Sequence, residues 1–129
     1  MTRQYEIYCG LDTNGHAITD ELGRFLAVAT DYPNSPGHQH ACARKLALDL
    51  ADKHFPHGHS ISEWQGRWTG PTGRPVSEPT MVIRWIASAE QVANGEAHKK
   101  VSRFAGAYKD QAFQESVLIT TTELDAVLI

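Results

Sequence analysis

Two acidic residues stand out by their settings. Glu78 precedes Pro79 at the edge of the apolar run Pro79–Ala87. Glu115 lies between Gln114 and Ser116 at the head of Glu115–Thr122, a stretch rich in Val, Ile and Thr. Carboxylates at comparable depth near the ends of neighbouring strands would bind a cation or an ammonium group. Burial would also raise the pKa of one of them toward proton-transfer chemistry. By residue type alone, solvated acids at strand ends are the better reading of both. The two become a candidate pocket only if the fold makes them converge.

The other chemical candidates are weaker. Seven histidines invite a metal centre, and His38-x-His40 and His57-x-His59 each put two imidazoles on one side of an extended segment. Both pairs sit in Pro/Gly-flanked ends and no Cys or carboxylate completes a ligand set, so exposed loop histidines are the better reading. No metal or cofactor is expected. The Thr69-Gly70-Pro71-Thr72-Gly73 stretch has backbone N–H groups suited to a phosphate, but it lacks phosphate-loop spacing and precedes a strand. No serine occupies a nucleophile elbow. Cys9 and Cys42 form no CxxC and read as reduced, semi-buried thiols of a cytosolic chain.

The 129 residues, 41% hydrophobic, suit one domain spanning 1–129. A chain of this size buries roughly two-thirds of its unfolded surface, enough for a core. Twelve basic against 15 acidic residues give a net charge of −3 without a basic cluster, which argues against nucleic acid as a partner. No long apolar run or charged-then-apolar leader occurs, so neither a membrane span nor a signal peptide is expected, and the cytoplasm is the expected location.

The elements that must position the acids follow from periodicity. Gln4–Leu11 alternates Tyr5, Ile7, Cys9 and Leu11 against Glu6, Tyr8 and Gly10, as a strand does. Ala17–Thr30 fits a helical face or a short strand. Gln39–Phe55 is a helix, with Ala43, Leu46, Ala47, Leu50 and Ala51 at three- and four-residue spacing and Pro56 and Gly58 behind them. Ser60–Trp68 and Pro79–Ala87 are strands joined by a Gly/Pro loop. Ser88 opens a second helix, whose apolar face is Val101, Phe104, Ala105 and Tyr108. Glu115–Thr122 is the last long strand, and Leu124–Ile129 is a further short strand or a tail packed on a neighbour. The order βαββαβ predicts an α+β, ferredoxin-like antiparallel sheet with two helices on one face. Its other face would carry tryptophans from Ser60–Trp68, an invitation to self-association.

Two resemblances add to this reading. The segments FPHG from Phe55, GRW at 66–68, EPTMVI at 78–83, YK at 108–109 and FQESVLI at 113–119 resemble an uncharacterised family of small bacterial domains sharing G-x-W, E-P, Y-K and Q-E-S-V-L. The order of an aromatic after glycine, a strand-initial Glu, a helix, and then Gln-acid-x-Val-Leu is similar to the phage S-adenosylmethionine lyases. That resemblance implies a PII-like trimer with sites between subunits, S-adenosylmethionine (SAM) as the small-molecule partner, and acids at Glu78 and Glu115. Trp68 falls where the lyases carry tyrosine. The missing hydroxyl leaves stacking or packing as its role. Gln114 and Ser116 would be further substrate contacts.

The lyase chemistry needs no metal, external nucleophile or water, because the substrate's own carboxylate expels methylthioadenosine and leaves homoserine lactone. A second reading from a different class is a PII-like module that binds a nucleotide-like molecule without transforming it. A dimeric ferredoxin-like oxygenase or an inert interaction protein is left open by fold alone.

Overall fold

The computed structural model describes residues 1–13, 15–18, 36–69 and 72–125. Most of Ala17–Thr30 and the end of the C-terminal tail lie outside the described residues. The elements in chain order are β1 (Thr2–Gly10), α1 (Pro36–His54), β2 (Ser60–Thr69), β3 (Pro75–Ala87), α2 (Ala89–Ala93), α3 (Glu96–Gln111) and β4 (Leu118–Leu124). The expected α+β class and four-stranded antiparallel sheet are present, in the order β2-β3-β1-β4.

The βαββαβ order is corrected to β-α-β-β-α-α-β, because the second helical segment is split. Ser88 caps α2 with a full capping box shared with Gln91. Asn94 and Gly95 then interrupt the helix, with Gly95 in the left-handed region at φ 80°, a conformation glycine adopts without a Cβ penalty.

One sheet face carries the core. Tyr5, Ile7 and Cys9 of β1 pair with Trp85, Ile83 and Met81 of β3, and all six are buried with Leu46, Ala47 and Leu50 of α1 and Val101, Phe104 and Tyr108 of α3. Phe55, just past α1, joins the layers: its ring lies 5.0 Å from Trp85 and 5.4 Å from Phe104. Such pairs contribute about 0.5–1.5 kcal/mol beyond their buried area. Cys9 and Cys42 are free and buried.

The alternate residues form the open face. Arg84 of β3 bonds there to Glu6 of β1 and Ser62 of β2. Trp64 on β2 is exposed on this face.

Of the strand boundaries that differ from expectation, two bear on the acids. β3 begins at Pro75, so Glu78 lies inside the strand, paired with Gly66, and does not open it. Pro79 permits this because its carbonyl, accepting from Leu11 N–H at 3.0 Å, faces the side on which β1 has ended. Its missing donor faces the same side, so the β2 ladder loses nothing. β4 begins at Leu118, which leaves Glu115 and Ser116 ahead of the strand.

Candidate functional site at the end of β1

The site is built around Gly10, the last residue of β1, which pairs with Thr80. A Cβ on Gly10 would stand 2.7 Å from Oε1 of Glu78 and 2.7 Å from Oε1 of Gln114, closer than real Cβ contacts come. Only glycine fits. Beneath it the buried Tyr108 hydroxyl donates to the Gly10 carbonyl, tying α3 to the strand end.

Gln114 reaches this point through a strained turn. Phe113, which follows the α3 C-cap Ala112, has φ 55°, and Gln114 N–H donates to the Lys109 carbonyl at 3.0 Å, the long bond of a Schellman-type helix end. A residue with a Cβ in this conformation costs roughly 1–2 kcal/mol. The His16 ring, stacked on Phe113 at 4.3 Å, braces the turn from the β1 side. Gln114 Nε2 donates to the carbonyls of Asp12 at 2.7 Å and Ala112 at 3.0 Å. These partners fix the orientation of the amide and leave Oε1 turned toward Gly10 and Glu78.

The electrostatics match the geometry. Burial, and then the neighbouring Asp12 charge, raise the Glu78 pKa above its ordinary value. Burial, with smaller effects from Cys9 and Glu78, pushes the Tyr108 hydroxyl up, so it remains a donor. Glu78 Oε1 and Gln114 Oε1 are acceptors, beside a second acid at Asp12. This arrangement suits a group that only donates and is positively charged, such as a primary ammonium.

Of the residues singled out in the sequence, Glu78 and Gln114 come together. β1 lies between β3 and β4, so Glu78 and Glu115 do not sit on neighbouring strands. Glu115 and Ser116 are exposed beside Gln114. The backbone of Trp68 pairs with Val76, and its side chain lies outside the described residues.

Gly10, Asp12 and Tyr108 were not singled out as site residues. Signals existed for two of them: a glycine closing an alternating strand marks close approach, and Tyr108 carries the only hydroxyl on the buried face of α3. Among the described residues no group of three or more His, Cys, Asp or Glu is placed to hold a metal ion. His59 instead lies against the end of α1, with Nδ1 3.1 Å from the Phe55 carbonyl and Nε2 3.5 Å from Asp52. No described helix is long and apolar enough to cross a membrane.

Comparison with known proteins agrees with this architecture. A phage SAM lyase in complex with S-methyl-5'-thioadenosine superposes with a TM-score of 0.56 over 95% of this chain and 81% of its own, at 17% identity. A phage SAM lyase in its apo state gives 0.53 over 93% and 78%, also at 17% identity. At that identity the likeness establishes the fold. No curated protein matches the sequence significantly. Residues 40–127 match the model of a family described as proteins of unknown function, DUF3574, which covers β2, β3, α3 and β4 together with Glu78 and Gln114; the chain belongs to the DUF3574 family.

Proposed function

We propose that this protein is a SAM lyase, cleaving SAM to 5'-methylthioadenosine and L-homoserine lactone in a cytoplasmic homotrimer with sites between subunits. The observation that carries the reading is the pair of acceptor oxygens converging over Gly10. The fold likeness to phage SAM lyases supports it.

In this reading Glu78 and Gln114 hold the substrate ammonium. The negative charge of Glu78, disfavoured by burial and by Asp12, is compensated when the doubly cationic ammonium–sulfonium portion arrives. Like-charge repulsion keeps the substrate carboxylate off both acids and directs it back along its own chain. One carboxylate oxygen bonds to the γ-carbon, the Cγ–S bond breaks, and its electron pair neutralises the sulfonium. The ammonium keeps its protons and no water is consumed. The protein's contribution is to hold a near-attack conformer and keep solvent out. Neither acid acts as a base. Glu115, Ser116 and Trp68 are assigned to the substrate of a neighbouring subunit.

The test is incubation of purified protein with SAM, followed by chromatography. Methylthioadenosine and homoserine lactone in equal amounts are expected. Saturable binding without either product would sink the lyase reading and favour a PII-like binding module. A clean monomer by light scattering would remove the inter-subunit assignment.

A further inference from the structure

The open sheet face continues from Gly10 toward the opposite edge, and its side chains are unusually small there. Gly10 of β1 pairs with Thr80 of β3, and Thr80 pairs with Trp64 of β2, so the three residues form one row across the sheet. Partners in such a row point to the same side. Two inter-strand spacings of about 4.8 Å place Trp64 about 10 Å from Gly10. In the next row Glu78 pairs with Gly66. A Cβ on Gly66 would stand 2.8 Å from Thr80 Oγ1, so this position too is kept bare. Gly10, Thr80 and Gly66 thus put little or no side chain between Glu78 and Trp64 on this face, and Gly10 and Thr80 themselves are buried.

Trp64 is held for contact. Its Nε1–H donates to Ser62 Oγ at 2.7 Å, and Ser62 in turn accepts from Arg84 at 2.9 Å, while Arg84 is paired with Glu6. The bond draws the indole along β2 toward Ser62, away from the bare strip at Gly66. The indole's polar edge is thus satisfied, yet the residue remains 56% exposed. An exposed ring whose backbone lies about 10 Å from Gly10, on the same face as Glu78, fits a ligand that carries a flat ring at one end and an amino-acid head at the other.

The geometry points to Trp64 as the stacking platform for the purine ring of the substrate, a ring subsite separate from the ammonium seat of Glu78 and Gln114. The identity of the ring rests on the lyase reading; the separation of the two subsites rests on the register. Base–aromatic stacking of this kind is lost largely when the aromatic is truncated.

The test separates the two ends by probe. Adenosine carries the ring without the ammonium, and methionine carries the ammonium without the ring. Calorimetric titration of the full-length protein and of Trp64→Ala should show adenosine binding weakened roughly tenfold or more, with methionine binding within twofold of the parent. Trp64→Phe should retain most of the adenosine affinity. With SAM, Trp64→Ala should raise KM more than it lowers kcat. Adenosine affinity unchanged in Trp64→Ala, or equal losses for both probes, would overturn the subsite. So would a parent protein that binds methionine but no adenosine. These binding outcomes are independent of turnover: a parent protein that binds both probes but forms no product keeps the ring subsite and loses the lyase reading.

Discussion

Glu78 and Gln114 each bring a side-chain oxygen to 2.7 Å from the point where a Cβ on Gly10 would stand. The relationship joins three separate parts of the chain: β3 carries the carboxylate, the turn after α3 carries the amide, and the end of β1 supplies the bare floor. Because Nε2 of Gln114 is engaged by two backbone carbonyls, both oxygens facing the floor are acceptors. That makes the point selective for a donor.

Gly10→Ala should push these oxygens apart. Because both oxygens end flexible side chains, urea unfolding should change by no more than the low end of the roughly 1–3 kcal/mol that overpacking costs. SAM turnover should vanish even in the folded fraction. A variant with native stability and native turnover would mean that the floor tolerates a methyl group and that the seat lies elsewhere.

Glu78→Gln should separate function from stability. The Glu78 carboxyl has a native pKa raised above its ordinary value of 4.5, so the folded protein binds this proton more tightly than the unfolded chain does. Its contribution to stability is therefore complete below pH 4.5 and declines as pH rises through the raised native value. Above that window the ionised group is a constant cost. Thermal melts across this range should show Glu78→Gln more stable than the parent near neutrality, with the gap closing toward acid pH, and turnover abolished. A parent whose stability at this site rose with pH would contradict the assignment.

Tyr108→Phe removes the donor to the buried Gly10 carbonyl while leaving the ring in the core. A buried carbonyl left without its partner costs about 1–3 kcal/mol, which corresponds to a fall in Tm of roughly 4–10 °C for a domain of this size. Turnover should fall as well, since the carbonyl fixes the strand end beneath the seat. Calorimetry and initial rates check both. An unchanged Tm would show that the hydroxyl is not holding β1.

Glu115→Gln makes the opposite pattern. The side chain is exposed and lies outside β4, so Tm should move by less than roughly 0.5 kcal/mol would produce. Turnover should nevertheless drop, because the inter-subunit reading gives Glu115 to a neighbour's substrate. Rates equal to the parent's in an intact oligomer would take Glu115 out of the site.

Much of the fold is legible in the sequence. Period-two alternation in Tyr5, Ile7 and Cys9 and the Ala/Leu spacing of α1 identify buried faces directly, because each face must meet the core. The element boundaries near the site were not legible. Pro79 reads as the start of a strand, yet its missing N–H falls on the side where β1 has ended, and β3 extends back to Pro75. Val117–Ile119 continues the β-branched look of the last strand back to Glu115, yet residues just after α3 are taken up by the left-handed turn at Phe113. Local composition carries no information about which side of a strand is unpaired.

By itself the sequence determined the class of the fold and the helix-facing residues, and it offered Glu78 and Glu115, with Trp68, Gln114 and Ser116, as candidate site residues. Residue type and periodicity report burial and chemistry one element at a time. Tertiary structure alone decided that β1 runs between β3 and β4, that Glu78 therefore meets Gln114 across Gly10, and that Trp64 shares a row with that glycine. Those are consequences of strand order and register, which arise when distant segments pair and which no single stretch of residues encodes.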